Sequence, residues 1–541
     1  MIIQLIGVNS KYIHPANGVF QLVANSNYPV QYFEATIKDS LSDIISKVNP
    51  DADLIGLSVY IWNINKIVEL IPLIKEKCPK AKVFVGGPES YFRSDYFLGQ
   101  LGVDYLINSE GEESFNELIE FLSNERSINE VSNLFYKDAN EIKFTFSRLP
   151  DINKIKHDYS LIKDFKNRVC YVESSRGCFF KCSYCMASLE TKVRFFDFEK
   201  VKRDIKFLVD NGAKTIKFLD RSFNVNKAYM LDILKFLVSI DNNYTVFQFE
   251  IVGDMLNDEV INYIIENIRP GYLRFEIGIQ SVNEKTTKAV CRVQNFQKLS
   301  ENIRRIKDYI TIHTDLIAGL PYEDLNSFKE TFNKSYLIGA SELQLGFLKE
   351  LKGTKISNEK DVHGYKFDKY SPYEVFYNNY ISKNELEIIH EAEEGLEKYH
   401  NKGNFKKTLD YLFNTCNLNP FDTFRLLYLN SGSNLRINHD KVALNLYTSL
   451  CNNPNIDSNY LLYLIKQDYL EKYNVRPKIW WDNNIARSER NKVYEDLSRV
   501  YNLNIDILYN YGKLEKFNDE YYIIIYRKNT QIFTLKYNYQ D

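Results

Sequence analysis

Three of the chain's eight cysteines, Cys178, Cys182 and Cys185, stand in the stretch RGCFFKCSYC (176–185) with CxxxCxxC spacing. Three thiols held this close constrain the chain more than any other feature. A structural zinc site needs four ligands, usually as two short pairs. No histidine or second cysteine pair lies nearby: Cys170 opens the preceding apolar run and Cys291 is far downstream. A redox pair of Cys182 with Cys185 would leave Cys178 unexplained. A four-iron cluster accepts cysteine thiolates, and three of them leave one iron open to another ligand. The open cluster accounts for all three residues.

The surroundings point to an ordinary folded chain of several domains. At 541 residues it exceeds what one core serves. A formal net charge of −2 gives no global pull toward nucleic acid or an anionic membrane, and no DNA partner is expected. No apolar run of about 18 residues appears, so no membrane span is expected. MIIQLIGVN lacks a basic leader region and reads as a strand. Few, unevenly spaced cysteines argue for a reducing interior, with the cytoplasm as the expected compartment.

The fold class is α/β in three parts. Residues 1–125 alternate strands (2–8, 30–36, 53–60, 82–88) with helical stretches, which predicts a doubly wound, Rossmann-like parallel sheet. Ligands of such sheets bind beyond the carboxyl ends of the strands. The polar and glycine-rich punctuation sits there: Asn9 and Ser10, Ser58 and Tyr60, Gly86 and Gly87, Glu110 and Gly111. Residues 126–168 form a polar connector with a hairpin at NLFYKDANEIKFTF. Residues 169–355 hold a second βα series of roughly six units, expected to curl into a partial (β/α)6 barrel. Residues 356–541 read as a mostly helical domain of unknown role, ending in a hairpin over 520–537.

CxxxCxxC with Tyr184 before its last cysteine, on the loop after a first barrel strand, resembles the radical S-adenosylmethionine (SAM) superfamily. The resemblance implies a [4Fe-4S] cluster on Cys178, Cys182 and Cys185, with SAM on the fourth iron. It implies reductive cleavage of SAM to a 5′-deoxyadenosyl radical, with electrons from a flavodoxin or ferredoxin. Further segments are similar to SAM-holding positions: Asp220 in IKFLDRSFN, Glu250 closing the third strand, Gln280 and Ser281 closing the fourth, Arg292, and Gly319 in IAGLP. Each could equally be ordinary barrel packing.

Residues 1–122 resemble the cobalamin-binding domains of the B12-dependent radical SAM class, on NSKYIH, SVYIWN, GGPE and EGEE. Two departures stand out. The D-x-H-x-x-G signature of a histidine-ligated corrin is absent, so His14 is not assigned to cobalt. Ser109 stands where the class has the first glycine of G-E-G-E. A dinucleotide site is disfavoured because G-x-G-x-x-G is missing. The stretch 372–405 is similar to an uncharacterised domain that follows the barrel in one branch of the class.

The expected function is methylation of an unactivated carbon of a small-molecule, lipid or peptide substrate, with cobalamin as cofactor. The alternatives are a radical rearrangement or oxidation, and a non-enzymatic cluster or cobalamin sensor. A methylthiotransferase is set aside. That branch needs three more N-terminal cysteines, and this region has only Cys78.

Overall fold

The computed structural model describes residues 1–403, 405–431, 438–482, 485–517, 520–526 and 535–538. The chain divides into two compact units, residues 1–331 with 338–383, and residues 332–337 with 384–541.

The first unit opens with a seven-stranded sheet in the order β2-β1-β3-β4-β5-β6-β7. Its strands are β1 (Ile3–Asn9), β2 (Gln31–Thr36), β3 (Leu54–Ser58), β4 (Lys82–Gly86), β5 (Tyr105–Ile107), β6 (Leu134–Asp138) and β7 (Glu141–Phe144). β1 to β5 pair in parallel, and the order of strand addition reverses at β1, with β2 on one side and β3 on the other. A sheet of order 2-1-3-4-5 opens a crevice at that switch point, beyond the carboxyl ends of β1 and β3. Both faces are covered. Helix α1 (Asn17–Asn25) has Val19 facing one core, and α4 (Glu112–Leu122) adds Phe115, Leu118 and Ile119. On the other face lie α2 (Leu41–Ser46) and α3 (Ile64–Lys77). Helix α3 buries Ile64, Ile67, Leu70, Ile71 and Ile74, one stripe at helical spacing.

β6 and β7 form the hairpin expected in the connector, and β6 pairs antiparallel with β5. That part of the 126–168 connector therefore extends the N-terminal sheet. Its alternating apolar face (Leu134, Tyr136) packs into the core shared with α4.

The second sheet is six-stranded, in the order β15-β14-β13-β12-β11-β8. It runs β8 (Val169–Val172), β11 (Thr215–Phe218), β12 (Val246–Ile251), β13 (Leu273–Gln280), β14 (Thr311–Ala318) and β15 (Glu342–Phe347), all parallel. Two short strands, β9 (Ser175–Arg176) and β10 (Arg194–Phe195), pair antiparallel between β8 and β11. Burial alternates strictly along β12, β13 and β14, as a period of two demands. Phe247, Phe249, Phe275 and Ile312 are fully buried, and the intervening polar residues line the half-buried face. The helices between these strands start on Asp or Asn caps: Asp197, Asn226, Asn257, Asn283 and Asn295 each accept a backbone N–H of the following turn. This unit continues to Lys383, beyond the boundary expected at 356, because residues 365–378 pack on the end of β14. Tyr365 and Asn378 both donate to the Gly319 carbonyl.

In the second unit the helical stretch expected over 383–400 forms as Lys383–Leu396 with a wider final turn at Glu397–Asn401. Further helices follow, then an antiparallel sheet of Gly512–Phe517, Glu520–Ile525 and Leu535–Asn538. The turn of the expected terminal hairpin lies outside the described residues. Among the described residues no helix is long and apolar enough to cross a membrane.

Candidate active site

The cysteine loop is a closed excursion whose two stems are β9 and β10. Gly177 enters it at φ +91°, where a Cβ would stand 2.4 Å from the Lys192 carbonyl oxygen, so only glycine fits. Cys178 N–H then donates to the Glu190 carbonyl at 2.9 Å, and Cys185 N–H to the Cys182 carbonyl at 3.1 Å. Ser183 ties the loop to the barrel, donating to the Val290 carbonyl and accepting from Ile356 N–H. Cys178 and Cys182 are buried and Cys185 is half-buried. Burial pushes the Cys185 thiol up, and the charges of Cys182 and Cys178 add to it, so the three thiols share one neighbourhood. Among the described residues no three His, Cys, Asp or Glu side chains converge closely enough to hold a single metal ion. Three buried or half-buried thiols on one loop suit a four-iron cluster, where each iron takes its own cysteine.

Arg292 stands over this loop. It donates to Tyr184 Oη (3.4 Å), Cys182 Sγ (3.9 Å), Gln294 Oε1 (3.0 Å) and the Gly278 carbonyl. No carboxylate is among those partners. Gly278 lies beneath it: a Cβ there would meet Gln280 Nε2 at 2.4 Å and Arg292 Nη2 at 3.2 Å. The register of β13 on β14 slips between Gly278 and Gln280, and Gln280 takes φ +68°. Such a bulge re-aims the side chain it carries. Gln280 Oε1 is buried with no hydrogen-bond partner. An arginine without a carboxylate beside an orphaned amide oxygen has the chemistry to hold an amino-acid headgroup such as that of SAM.

The other expected SAM contacts are placed differently. Asp220 is buried and accepts from Ser174 N–H (2.9 Å), Ser174 Oγ (2.6 Å) and Ser175 Oγ (2.5 Å). Burial pushes its carboxyl up to about 6 against those bonds. It therefore braces the stem of the cysteine loop. Ser281 is fully buried and donates to Glu323 Oε1 at 2.6 Å. Gly319, at φ +87°, would set a Cβ 2.7 Å from Val375. Glu250 lies on the half-buried barrel face, 3.8 Å from Arg221 and 3.9 Å from Lys217. Burial raises its carboxyl, with both cations opposing. Its register neighbour Glu276 accepts from Lys217 Nζ at 2.7 Å and from Gln248. Asp315, opposite Gly278 and Gln344 in register, is pushed up to about 7 by burial first and then by Glu276.

At the first sheet, Asn63 joins the ends of β1 and β3, donating to the Val8 and Ser58 carbonyls at 2.9 Å and accepting from Tyr60 N–H. Asn63 closes the SVYIWN stretch, but its role as a buried clasp was not read from the sequence. Asn9 donates to Glu34 Oε1 at 2.8 Å. Tyr60 stacks on Trp62, with ring centroids 4.3 Å apart and planes 6° apart. Trp62, Tyr12 and Ile13 are exposed at this carboxyl end, and Ser10 is half-buried beside them. Gly87, at φ +108°, admits the close approach of the Val59 backbone, where a Cβ would meet a carbonyl oxygen at 2.6 Å; Gly86 has ordinary clearance. Asn108 Oδ1 is buried without a partner. Exposed aromatics at the carboxyl end of the sheet and an orphaned amide suit a large, flat, amide-bearing ligand such as cobalamin. Glu110 behaves otherwise: its two oxygens go to Arg176 and Arg194. Gly111 precedes α4, where a Cβ would stand 3.3 Å from Leu22.

Family models match in three segments: a B12 binding domain over residues 3–119, the radical SAM superfamily over 172–334, and a protein of unknown function, DUF4080, over 361–532. The chain thus carries a B12-binding domain followed by a radical SAM domain. A 2-(S-pantetheinyl)-carbapenam-3-carboxylate methyltransferase of Streptantibioticus cattleyicolor is 25% identical over 314 residues, 52% of this chain and 44% of the relative. The cobalamin-dependent radical SAM methyltransferase TokK of Streptomyces tokunonensis is 25% identical over 306 residues, with the same shares. The chain thus spans less than half the length of these curated relatives. Among solved structures, the cobalamin-dependent SAM radical enzyme OxsB matches with a TM-score of 0.63 at 14% identity, over 92% of this chain and 81% of that one. The methyltransferase TsrM of Kitasatospora setae matches with a TM-score of 0.56 at 15% identity, over 68% and 81%. Both likenesses concern the fold.

Proposed function

We propose that this B12-binding radical SAM protein is a cobalamin-dependent methyltransferase acting on an unactivated carbon of a small-molecule, lipid or peptide substrate. In this reading Cys178, Cys182 and Cys185 hold a [4Fe-4S] cluster, Arg292 and Gln280 hold SAM, and the loops after β1, β3 and β4 hold cobalamin. When bound, these groups supply a hydrogen-abstracting 5′-deoxyadenosyl radical and a transferable methyl group. The chain's own residues do the positioning. Arg292 orients an anionic headgroup beside Cys182, and the Asp220 clasp fixes the stem of the cysteine loop. The polar barrel face of Lys217, Glu250, Glu276 and Asp315 offers hydrogen-bonding groups to a substrate. The observation that carries the reading is Arg292, a cation beside the cysteine loop whose partners include no carboxylate.

The names of the two methyltransferase relatives support methyl transfer. A second reading, a radical reaction without methyl transfer, is supported by an anaerobic magnesium-protoporphyrin IX monomethyl ester cyclase of Synechocystis, 23% identical over 255 residues. A flavodoxin or ferredoxin as reductant and a reducing, cytoplasmic setting belong to the same proposal. The absence of disulfides among the chain's cysteines is compatible with such a setting.

Anaerobic reconstitution with iron, sulfide, dithionite and SAM tests the reading. The wild type is expected to release 5′-deoxyadenosine, and a Cys182→Ala variant is expected to release none. A reconstituted wild type that never cleaves SAM would sink the enzyme and leave a sensor. S-adenosylhomocysteine formed with substrate separates methyl transfer from the second reading.

A further inference from the structure

The radical SAM proposal leaves one cluster of charges unused. Arg176, the residue before Gly177 and Cys178, is bound by three carboxylates from two domains. Its Nη1 donates to Glu110 Oε2 (2.8 Å), and its Nη2 to Glu112 Oε1 (2.7 Å) and Glu173 Oε2 (2.7 Å). Its Nε faces Glu173 as well, at 3.2 Å. Glu110 belongs to the loop between β5 and α4 of the B12-binding domain, and Glu112 is the first residue of α4. Glu173 follows β8.

The opposite stem of the cysteine loop meets the same carboxylate. Arg194, paired with Arg176 across β9 and β10, donates to Glu110 Oε1 and lies 3.7 Å from Glu190. Glu190 also gives its backbone carbonyl to Cys178 N–H. Glu110 therefore grips both stems at once. The side chains are largely withdrawn from solvent: Arg176 12% exposed, Arg194 11%, Glu110 17%, Glu112 7%, Glu173 16%. Water does not screen such a network, and one missing partner strands charge. Buried ion pairs are a weak source of stability, and their best-attested use is to fix register.

We propose that Arg176, through Glu110 and Glu112, is a positioning residue that sets the cysteine loop against the corrin-side loop of the B12-binding domain, so that the spacing of cluster and cobalamin is held by this clamp. The proposal rests on the reading that both cofactors bind. It assigns the acidic S-E-G-E-E loop to holding the cluster stem instead of contacting the corrin, and Arg176 to acting through that loop.

The test uses the full chain with two isosteric changes, Glu110→Gln and Glu112→Gln, alone and together, and with Arg176→Lys, which keeps the charge and loses the fork. Hydrogen exchange on the protein before reconstitution is expected to rise about tenfold at amides 177–193 in the double variant. Exchange in the C-terminal unit should stay at the wild-type level. In reconstituted protein, the dipolar coupling between the reduced cluster and cob(II)alamin, read by pulsed electron paramagnetic resonance, is expected to give one narrow distance in the wild type. It should give a broadened distribution in the double variant, with both cofactors still at full occupancy, and an intermediate width in Arg176→Lys. Unchanged exchange at 177–193, or a distance distribution as narrow as wild type despite faster exchange, would overturn the clamp. A wild type that takes up neither cofactor overturns the functional reading and this proposal together, and the exchange measurement then reads only a structural brace. If the double variant fails to fold, Glu112→Gln alone carries the same two expectations.

Discussion

Arg176 and Arg292 flank the same cysteine loop and could hardly be treated more differently. Arg176 faces three carboxylates, and each of its nitrogens finds one. Among the described residues Arg292 meets a carbonyl, an amide, a phenol and a thiol, and no carboxylate. A satisfied guanidinium network resists rearrangement and so suits a brace. A cation left with neutral partners gains most from an incoming anion and so suits a binding site. The difference separates two roles that sequence motifs place side by side.

The contrast is sharpest if the two arginines are removed in turn. Arg176→Gln takes the arginine from the inward carboxylates of Glu112 and Glu173, leaves Glu110 with Arg194 alone, and is expected to cost about 3–5 kcal/mol of stability. Denaturant titration checks this, and a loss under ~1 kcal/mol would show the network to be solvated. Arg292→Gln strands no carboxylate, so its stability should change little. Its SAM affinity should instead fall by about 2 kcal/mol, roughly thirtyfold, as read by equilibrium dialysis on reconstituted protein. Equal losses of stability in both variants would erase the distinction.

Asp315 extends the comparison to an acid. It faces Gly278 and Gln344 across the strands, and Glu276, Glu250, His313 and Lys217 are the charges that act on it. Its folded carboxyl titrates near 7 against an ordinary 3.8, so the folded chain holds a proton that the unfolded chain releases. Stability therefore falls as pH rises through that window, and the cost is complete above it. Asp315→Asn should raise stability by up to about 4 kcal/mol near pH 8 and change it far less near pH 4. Thermal unfolding at the two pH values decides it. The opposite trend would mean that a cation pairs with Asp315.

The smallest effect concerns Ser109. It sits at φ 70° where the related class has glycine. The left-handed strain on a serine, about 1 kcal/mol, is matched by the entropy a glycine loses on folding. Ser109→Gly should thus lie within about 0.5 kcal/mol of wild type, whereas Ser109→Val should be clearly destabilised. A valine variant as stable as the parent would contradict the backbone assignment.

Much of the fold was legible because its signals are local. The alternation along LRFEIGIQS and its neighbours marks strands buried on one face. The cysteine spacing and the glycine at 87 were legible for the same reason, since a backbone constraint is written in the residue that meets it. Side-chain direction was not. Asp220 and Glu110 stand at positions that a motif marks as near cofactor, yet Asp220 turns to Ser174 and Ser175, and Glu110 to two arginines. Those partners lie 45 to 84 residues away, and nothing in a strand's periodicity selects them. The hairpin at 134–144 was visible as a hairpin, but its pairing with β5 is a tertiary choice of edge.

The central claim is that the three thiols and Arg292 form one site for a cluster and SAM. It is tested most directly by the paramagnetic resonance spectrum of the reconstituted, dithionite-reduced protein with and without SAM. The account predicts a four-iron signal whose line shape changes when SAM is added, and an Arg292→Gln variant with the same starting signal that responds only at much higher SAM. A wild-type spectrum indifferent to SAM, or a variant that responds as wild type does, would contradict it.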